Sequence, residues 1–159
     1  DPKELAENVM IVDLLRNDLS KVCRPFSVQV PELFTVESYA TVHHLVSAVV
    51  GRLRPDLDAV DLLRACFPGG SITGAPKVRA MQIIAELEPT ARGVYCGALG
   101  YLGFDGAFDT NIAIRTAVAG AHELSFSAGG GIVADSDPAA EYTETLHKAA
   151  GLWRGLTMP

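Results

Sequence analysis

Between Gly93 and Ala128 the chain sets three strand-like stretches in direct succession, Gly93–Gly103, Phe108–Ala119 and Glu123–Ala128. They are joined only by the turn pairs Asp105-Gly106 and Ala119-Gly120. Links that short leave no room for a crossover helix, so these strands must run antiparallel. A doubly wound parallel sheet is thereby excluded, and helices must lie outside the strands. The expected class is α+β.

The rest of the chain supplies those helices. Pro2 to about Leu19 carries a broad apolar face from Leu5, Val9, Ile11, Val12, Leu14 and Leu15, which predicts a helix. Phe26–Val30 and Leu33–Tyr39 alternate as strands, with Pro31 as punctuation between them. Thr41–Leu53 fits a helix by the spacing of Val42, Leu45, Val46, Val49 and Val50, while its β-branched content favours a strand, the preferred reading. Asp58–Cys66 reads as a short helix. The loop from Phe67 to Ala75 feeds a helix from Pro76 to Leu87, with proline suited to the first helical position. The last helix is expected from Pro138 to about Leu156, capped by Asp137. Residues 1–159 read together as one piece of a domain.

Of the 159 residues, 48% are hydrophobic and 20% charged, a balance that builds a core rather than a disordered chain. The net charge of −6 argues against a nucleic-acid binder, which would carry a basic surface. Any anion must instead meet a local cation, a backbone nest or a metal. Cys23, Cys66 and Cys96 are odd in number and form no C-x-x-C, so neither a disulfide framework nor a zinc site is indicated and a reducing cytoplasm fits. No stretch is apolar enough for a membrane span. The opening Asp1-Pro2-Lys3-Glu4 has no initiator Met or signal peptide, so a fragment or a processed piece is expected.

Several groups carry possible chemistry. Glu141, Glu144 and Lys148 are three and four residues apart, on one helix face. Two carboxylates one turn apart can share Mg²⁺, which takes oxygen ligands; equally, they can form a solvated face with a routine Glu144–Lys148 pair. Ser127–Ala134 contains three consecutive glycines after a strand, where bare backbone N–H groups can approach an anion. Its G-x-G-x-x-A spelling is a poor dinucleotide fingerprint, because Asp135 to Pro138 delay the helix and no further strand completes the unit. Pro68–Lys77 is a second glycine-rich loop leading into a helix, a place that favours negative charge, but it lacks the phosphate-loop order. Its Ser71, Thr73 and Lys77 either make polar contacts or cap the helix. Arg115 lies in an otherwise apolar strand-like run, where it points to solvent or meets a carboxylate. His43 and His44 sit in an apolar stretch, where a histidine is ordinarily packed and hydrogen-bonded.

Taken together, Asp13-Leu14-Leu15-Arg16-Asn17-Asp18-Leu19, His44-Leu45-Val46-Ser47, Pro68–Lys77, Asp109-Thr110 with Ile114-Arg115-Thr116, and Ala128–Ser136 with Glu141-Tyr142-x-Glu144-Thr145 resemble one family. It is the chorismate-binding family of anthranilate, aminodeoxychorismate, isochorismate and salicylate synthases, and the resemblance runs from Asp1 to about Leu152. The spelling Pro-Gly-Gly-Ser-Ile-Thr-Gly-Ala-Pro-Lys is most similar to the aminodeoxychorismate branch. Anthranilate synthases more often read Pro-Ala-Gly-Thr-Leu-Ser-Gly-Ala-Pro-Lys there.

The resemblance implies a fold, roles and a reaction. The fold is the C-terminal third of a two-sheet sandwich with outer helices. Glu7, Glu141 and Glu144 are implied as the Mg²⁺ carboxylates. Arg115, Tyr95 and Lys148 are implied as contacts to the substrate carboxylates, Gly129 and Gly131 as backbone donors, and Ser71 and Thr73 as site lining. His44 is implied to stand near the ring position that loses hydroxide. The reaction is amination of chorismate at C4, with ammonia from a glutamine amidotransferase subunit. The branch also carries an upstream Pro-Ile-Lys-Gly-Thr motif with a nucleophilic lysine, absent from these residues, so the chain alone is expected to be inactive. Anthranilate synthesis and a truncated, non-catalytic ligand-binding module are the alternatives.

Overall fold

A computed structural model describes residues 2–40 and 43–157. The elements follow in the order α1 (Pro2–Ser20), β1 (Gln29–Ser38), β2 (His43–Val50), α2 (Ala59–Cys66), α3 (Gly70–Thr73), α4 (Lys77–Leu87), β3 (Ala98–Leu102), β4 (Phe108–Ile112), β5 (Ala117–Ala119), β6 (Leu124–Phe126) and α5 (Pro138–Thr157). Every pairing of named strands is antiparallel: β1 with β2, β3 with β4, β5 with β6. The class is α+β, as the closely spaced turns required.

The chain divides into two compact units, one of residues 1–86 with 104–106 and one of residues 87–103 with 107–159. In the first, α1 packs against the β1–β2 hairpin, α2 and α3. Its buried residues include Val12, Val22, Cys23 and Asp18. The hairpin is extended where Arg24 N donates to Arg52 O at 2.7 Å and Arg54 N to Val22 O at 3.0 Å, which brings Cys23 opposite Leu53. Asp58 caps α2 and exchanges bonds with Asp61 in a capping box. In the second unit, Cys96 and Ala113 are buried and tied by Cys96 N to Ala113 O at 2.9 Å. At α5 the Asp137 side chain accepts from Ala140 N at 2.8 Å, the expected cap.

Five expectations change. Pro31 does not end a strand: β1 runs through it, with register irregularities between Gln29 and Glu32 and between Glu32 and Thr35, where a residue without an N–H is tolerated. The strand reading of Thr41–Leu53 holds from His43 to Val50, and Thr41 and Val42 lie outside the described residues. The loop after α2 contains the single turn α3. Pro76 stands just before α4, its carbonyl accepting from Ala80 N at 3.0 Å, a one-residue shift of the boundary. Gly93–Gly103 is strand only from Ala98, and Phe108–Ala119 is broken into β4 and β5 at residues 113–116. There Arg115 takes φ 50, a left-handed conformation outside the regular strand region.

Candidate active site

The break in the strand decides where Arg115 goes. Ala113 turns inward and is almost fully buried, while Arg115 is exposed. Arg115 and Lys148 line one open cleft of about 610 Å³ together with His147 and Arg154. Four basic side chains in one concavity of an acidic protein make a local site for an anion. The sequence reading missed His147 and Arg154. They are seven residues apart, two turns along one helix face, a spacing that a search confined to three and four residues passes over.

Beside this cleft the glycine run meets α5. A Cβ built on Gly130 would stand 3.4 Å from Glu141 Oε2, 3.7 Å from Lys148 Nζ and 3.8 Å from Glu144 Oε1. The backbone at Gly130 therefore approaches both carboxylates. Glu141 is only 8% exposed. Its Oε1 accepts from the Ser136 hydroxyl at 2.5 Å, and that hydroxyl accepts from Val133 N at 3.0 Å. Ser136 thus ties the glycine-rich connection to the helix that follows. Glu144 is half exposed and pairs with Lys148 at 2.5 Å. The solvated Glu/Lys face therefore describes Glu144 but not Glu141.

Tyr95 belongs to the same surroundings. Its hydroxyl oxygen lies 3.0 Å from where a Gly129 Cβ would be, so an alanine there would press on the phenol. Burial, then the adjacent Cys96, pushes the Tyr95 phenol above its ordinary range. At neutral pH it remains a hydrogen-bond donor. Gly131 is exposed in the same irregular segment.

The remaining candidates belong to the first unit. Glu7 is half-buried on α1. Its neighbour Asn8 accepts from the Ser47 hydroxyl at 2.6 Å and donates to Leu45 O at 3.4 Å. Ser47 Oγ in turn accepts from Phe34 N at 3.1 Å, so α1 is registered on the β1–β2 hairpin one residue from Glu7. His44 is exposed, its ring edge-on to Tyr39 at 5.6 Å. His43 instead meets Ser38 Oγ at 2.9 Å; the two histidines take opposite faces of β2. Ser71 is exposed on α3, and Thr73 bonds Gly69 O at 2.9 Å. Lys77 neither caps α4 nor points to solvent: it pairs with Asp18 at 2.5 Å.

A family model described as chorismate binding enzyme matches residues 1–154. The chain belongs to the chorismate-binding enzyme family. It is 63% identical over 147 residues to aminodeoxychorismate synthase component 1 of Klebsiella aerogenes, across 92% of this chain and 33% of that protein. It is 59% identical over 157 residues to anthranilate synthase component 1 of Synechocystis sp., across 96% of this chain and 31% of that one. Among solved structures, anthranilate synthase component I from Streptococcus pneumoniae superposes with a TM-score of 0.85 at 47% identity, covering 96% of this chain and 35% of that one. The chain thus spans about a third of the relatives it matches. Among the described residues, no helix is long and apolar enough to cross a membrane.

Membership of the chorismate-binding family gives the basic cleft and the acid pair a common context. Among the described residues no three His, Cys, Asp or Glu side chains are grouped as metal ligands; Glu141 and Glu144, near Gly130, form a pair of oxygen donors. Oxygen donors fit Mg²⁺, which commonly completes its shell with water or substrate oxygens.

Proposed function

We propose that this chain forms part of the chorismate site of an enzyme that aminates chorismate at C4, giving 4-amino-4-deoxychorismate with ammonia from a glutamine amidotransferase subunit. The carrying observation is the basic cleft of Arg115, His147, Lys148 and Arg154, set in a chain 63% identical to an aminodeoxychorismate synthase component. Arg115 is suited to clamp one substrate carboxylate through paired N–H donors. Lys148 adds a mobile point charge, and Tyr95, Gly129 and Gly131 add neutral donors. From the family resemblance, Ser71 and Thr73 would contribute to the substrate site and His44 would stand near the ring position that loses hydroxide. Glu141 and Glu144 would offer oxygen donors to Mg²⁺, which when bound would neutralise substrate carboxylate charge and polarise the ring.

Anthranilate synthesis, with amination at C2 and loss of pyruvate, is the second reading, favoured by the 59% identity to an anthranilate synthase component over 96% of the chain. Product analysis separates the two. The whole protein is incubated with chorismate and ammonia, with Mg²⁺ and with excess chelator, and the products are resolved by chromatography. Mg²⁺-dependent 4-amino-4-deoxychorismate is expected; anthranilate with pyruvate moves the assignment to the second reading. The 159-residue chain run alongside is expected to show negligible turnover, and turnover equal to that of the whole protein would overturn that part of the reading.

A further inference from the structure

Asp18 is the most deeply buried charged residue among those described, at 1% exposure, and it lies far in sequence from its partner Lys77. Lys77 Nζ bonds Asp18 Oδ2 at 2.5 Å and the carbonyl of Cys66 at 3.2 Å. Lys21 takes the other Asp18 oxygen at 2.8 Å. Cys66 closes α2 and Lys77 opens α4, so one ammonium joins the two ends of the connection that carries Ser71 and Thr73. The same connection touches α1 a second time. Gly70 is buried, and any Cβ on it would collide with the Leu14 side chain. Leu14 and Asp18 are four residues apart, on one face of α1. That face is a seat with two fixed points, an apolar one under Gly70 and an ionic one under Lys77.

We propose that Lys77 and Asp18 are positioning residues that hold the 67–76 connection in shape, so that Ser71 and Thr73 are presented to chorismate. The proposal rests on the functional reading above, in which those two residues line the site. Neither Lys77 nor Asp18 touches substrate in it. Lys77 works by closing the connection onto its own start, and Asp18 by fixing that closure to α1. Within the connection the Thr73 hydroxyl bonds Gly69 O, a tie that does not reach either helix. Without the ammonium, α2 and α4 can each persist while the segment between them loses its set position.

The test compares the whole protein with its Lys77→Met, Lys77→Gln and Lys77→Arg variants. Three quantities are read: amide hydrogen exchange in residues 67–76, exchange in the β1–β2 hairpin as an internal control, and chorismate affinity by calorimetry. Lys77→Met is expected to speed exchange in 67–76 at least tenfold, to leave the hairpin unchanged, and to weaken chorismate binding tenfold or more. Lys77→Arg keeps a cation of similar reach and is expected to recover most of both. If Lys77→Met does not fold, Lys77→Gln carries the test, since it removes the charge and keeps a polar side chain. Equal acceleration in the connection and the hairpin overturns the proposal, because the pair then serves only global stability. Faster exchange in 67–76 with unchanged chorismate affinity overturns the positioning role. If the unaltered protein itself fails to bind chorismate, the functional reading falls, and exchange alone still decides whether Lys77 holds the connection.

Discussion

The two units are held by different kinds of bond. In the first, the side-chain contacts that define its shape join residues far apart in sequence: Lys77 with Asp18 across 59 positions, Ser47 with Asn8 across 39. In the second, the side-chain bonds around the glycine run are local: Ser136 with Glu141 across five positions, Glu144 with Lys148 one helical turn apart. Long-range polar ties cost chain entropy to close and fail together. Local ones form with the helix that carries them. Both units leave large apolar side chains open to solvent, Phe26 and Val78 in the first and Leu99 and Trp153 in the second, so the contrast lies in the polar ties. Side chains on a locally organised segment can therefore be altered with little effect on the fold, whereas the polar ties of the first unit are part of the fold itself.

The sharpest way to break this contrast is Asp18→Ala. Removing one member of a buried ion pair strands the other charge and costs about 3–5 kcal/mol. Urea denaturation followed by circular dichroism should show that loss, and a change below 1 kcal/mol would remove the distinction between the units. Next comes Arg115→Ala. On the proposed function it deletes a charge-assisted bond to a substrate carboxylate worth about 1.5–3 kcal/mol, so roughly tenfold or more in kcat/KM is expected in the whole protein. Its urea midpoint should stay in place, and intact kinetics would make Arg115 a bystander. The smallest effect belongs to Glu88→Gln. Arg92 grips Glu88 through contacts of 2.6 and 2.9 Å, and this hydrogen bonding holds the Glu88 carboxyl below its usual range. A depressed carboxyl contributes its stability above the unfolded pKa and loses it as pH falls through the folded one. The pair is partly exposed, so screening limits it to about 0.2–1 kcal/mol. Thermal melts of parent and variant should differ slightly at pH 7 and converge in acid; a difference that grows in acid contradicts the assignment.

Much of the fold was legible in local chemistry. Asp58 and Asp137 announced their helices because a short acceptor side chain satisfies the first free N–H groups wherever it stands. The glycine-turn pairs forced antiparallel strands because so short a link permits nothing else. The ends of elements were less legible. Pro31 was read as a stop, but an irregularity in pairing absorbs its missing N–H, and pairing is a property of two segments. The break at residues 113–116 was hidden for the same reason, since apolar residues continue through it while Ala113 turns inward.

At the candidate site the division follows the same physics. The sequence by itself determined that Glu141, Glu144 and Lys148 share a face, because helix geometry places residues three and four apart together in any context. The resemblance carried by its motifs named the family, since long ordered motifs need no coordinates. Only the tertiary structure decided that Glu141 is buried against Ser136 while Glu144 is open, that Arg115 leaves the strand in a left-handed turn, and that Lys77 serves Asp18 rather than solvent. Each of those depends on which distant atoms fill the space around a side chain, and burial and long-range pairing are not properties of any short window of residues.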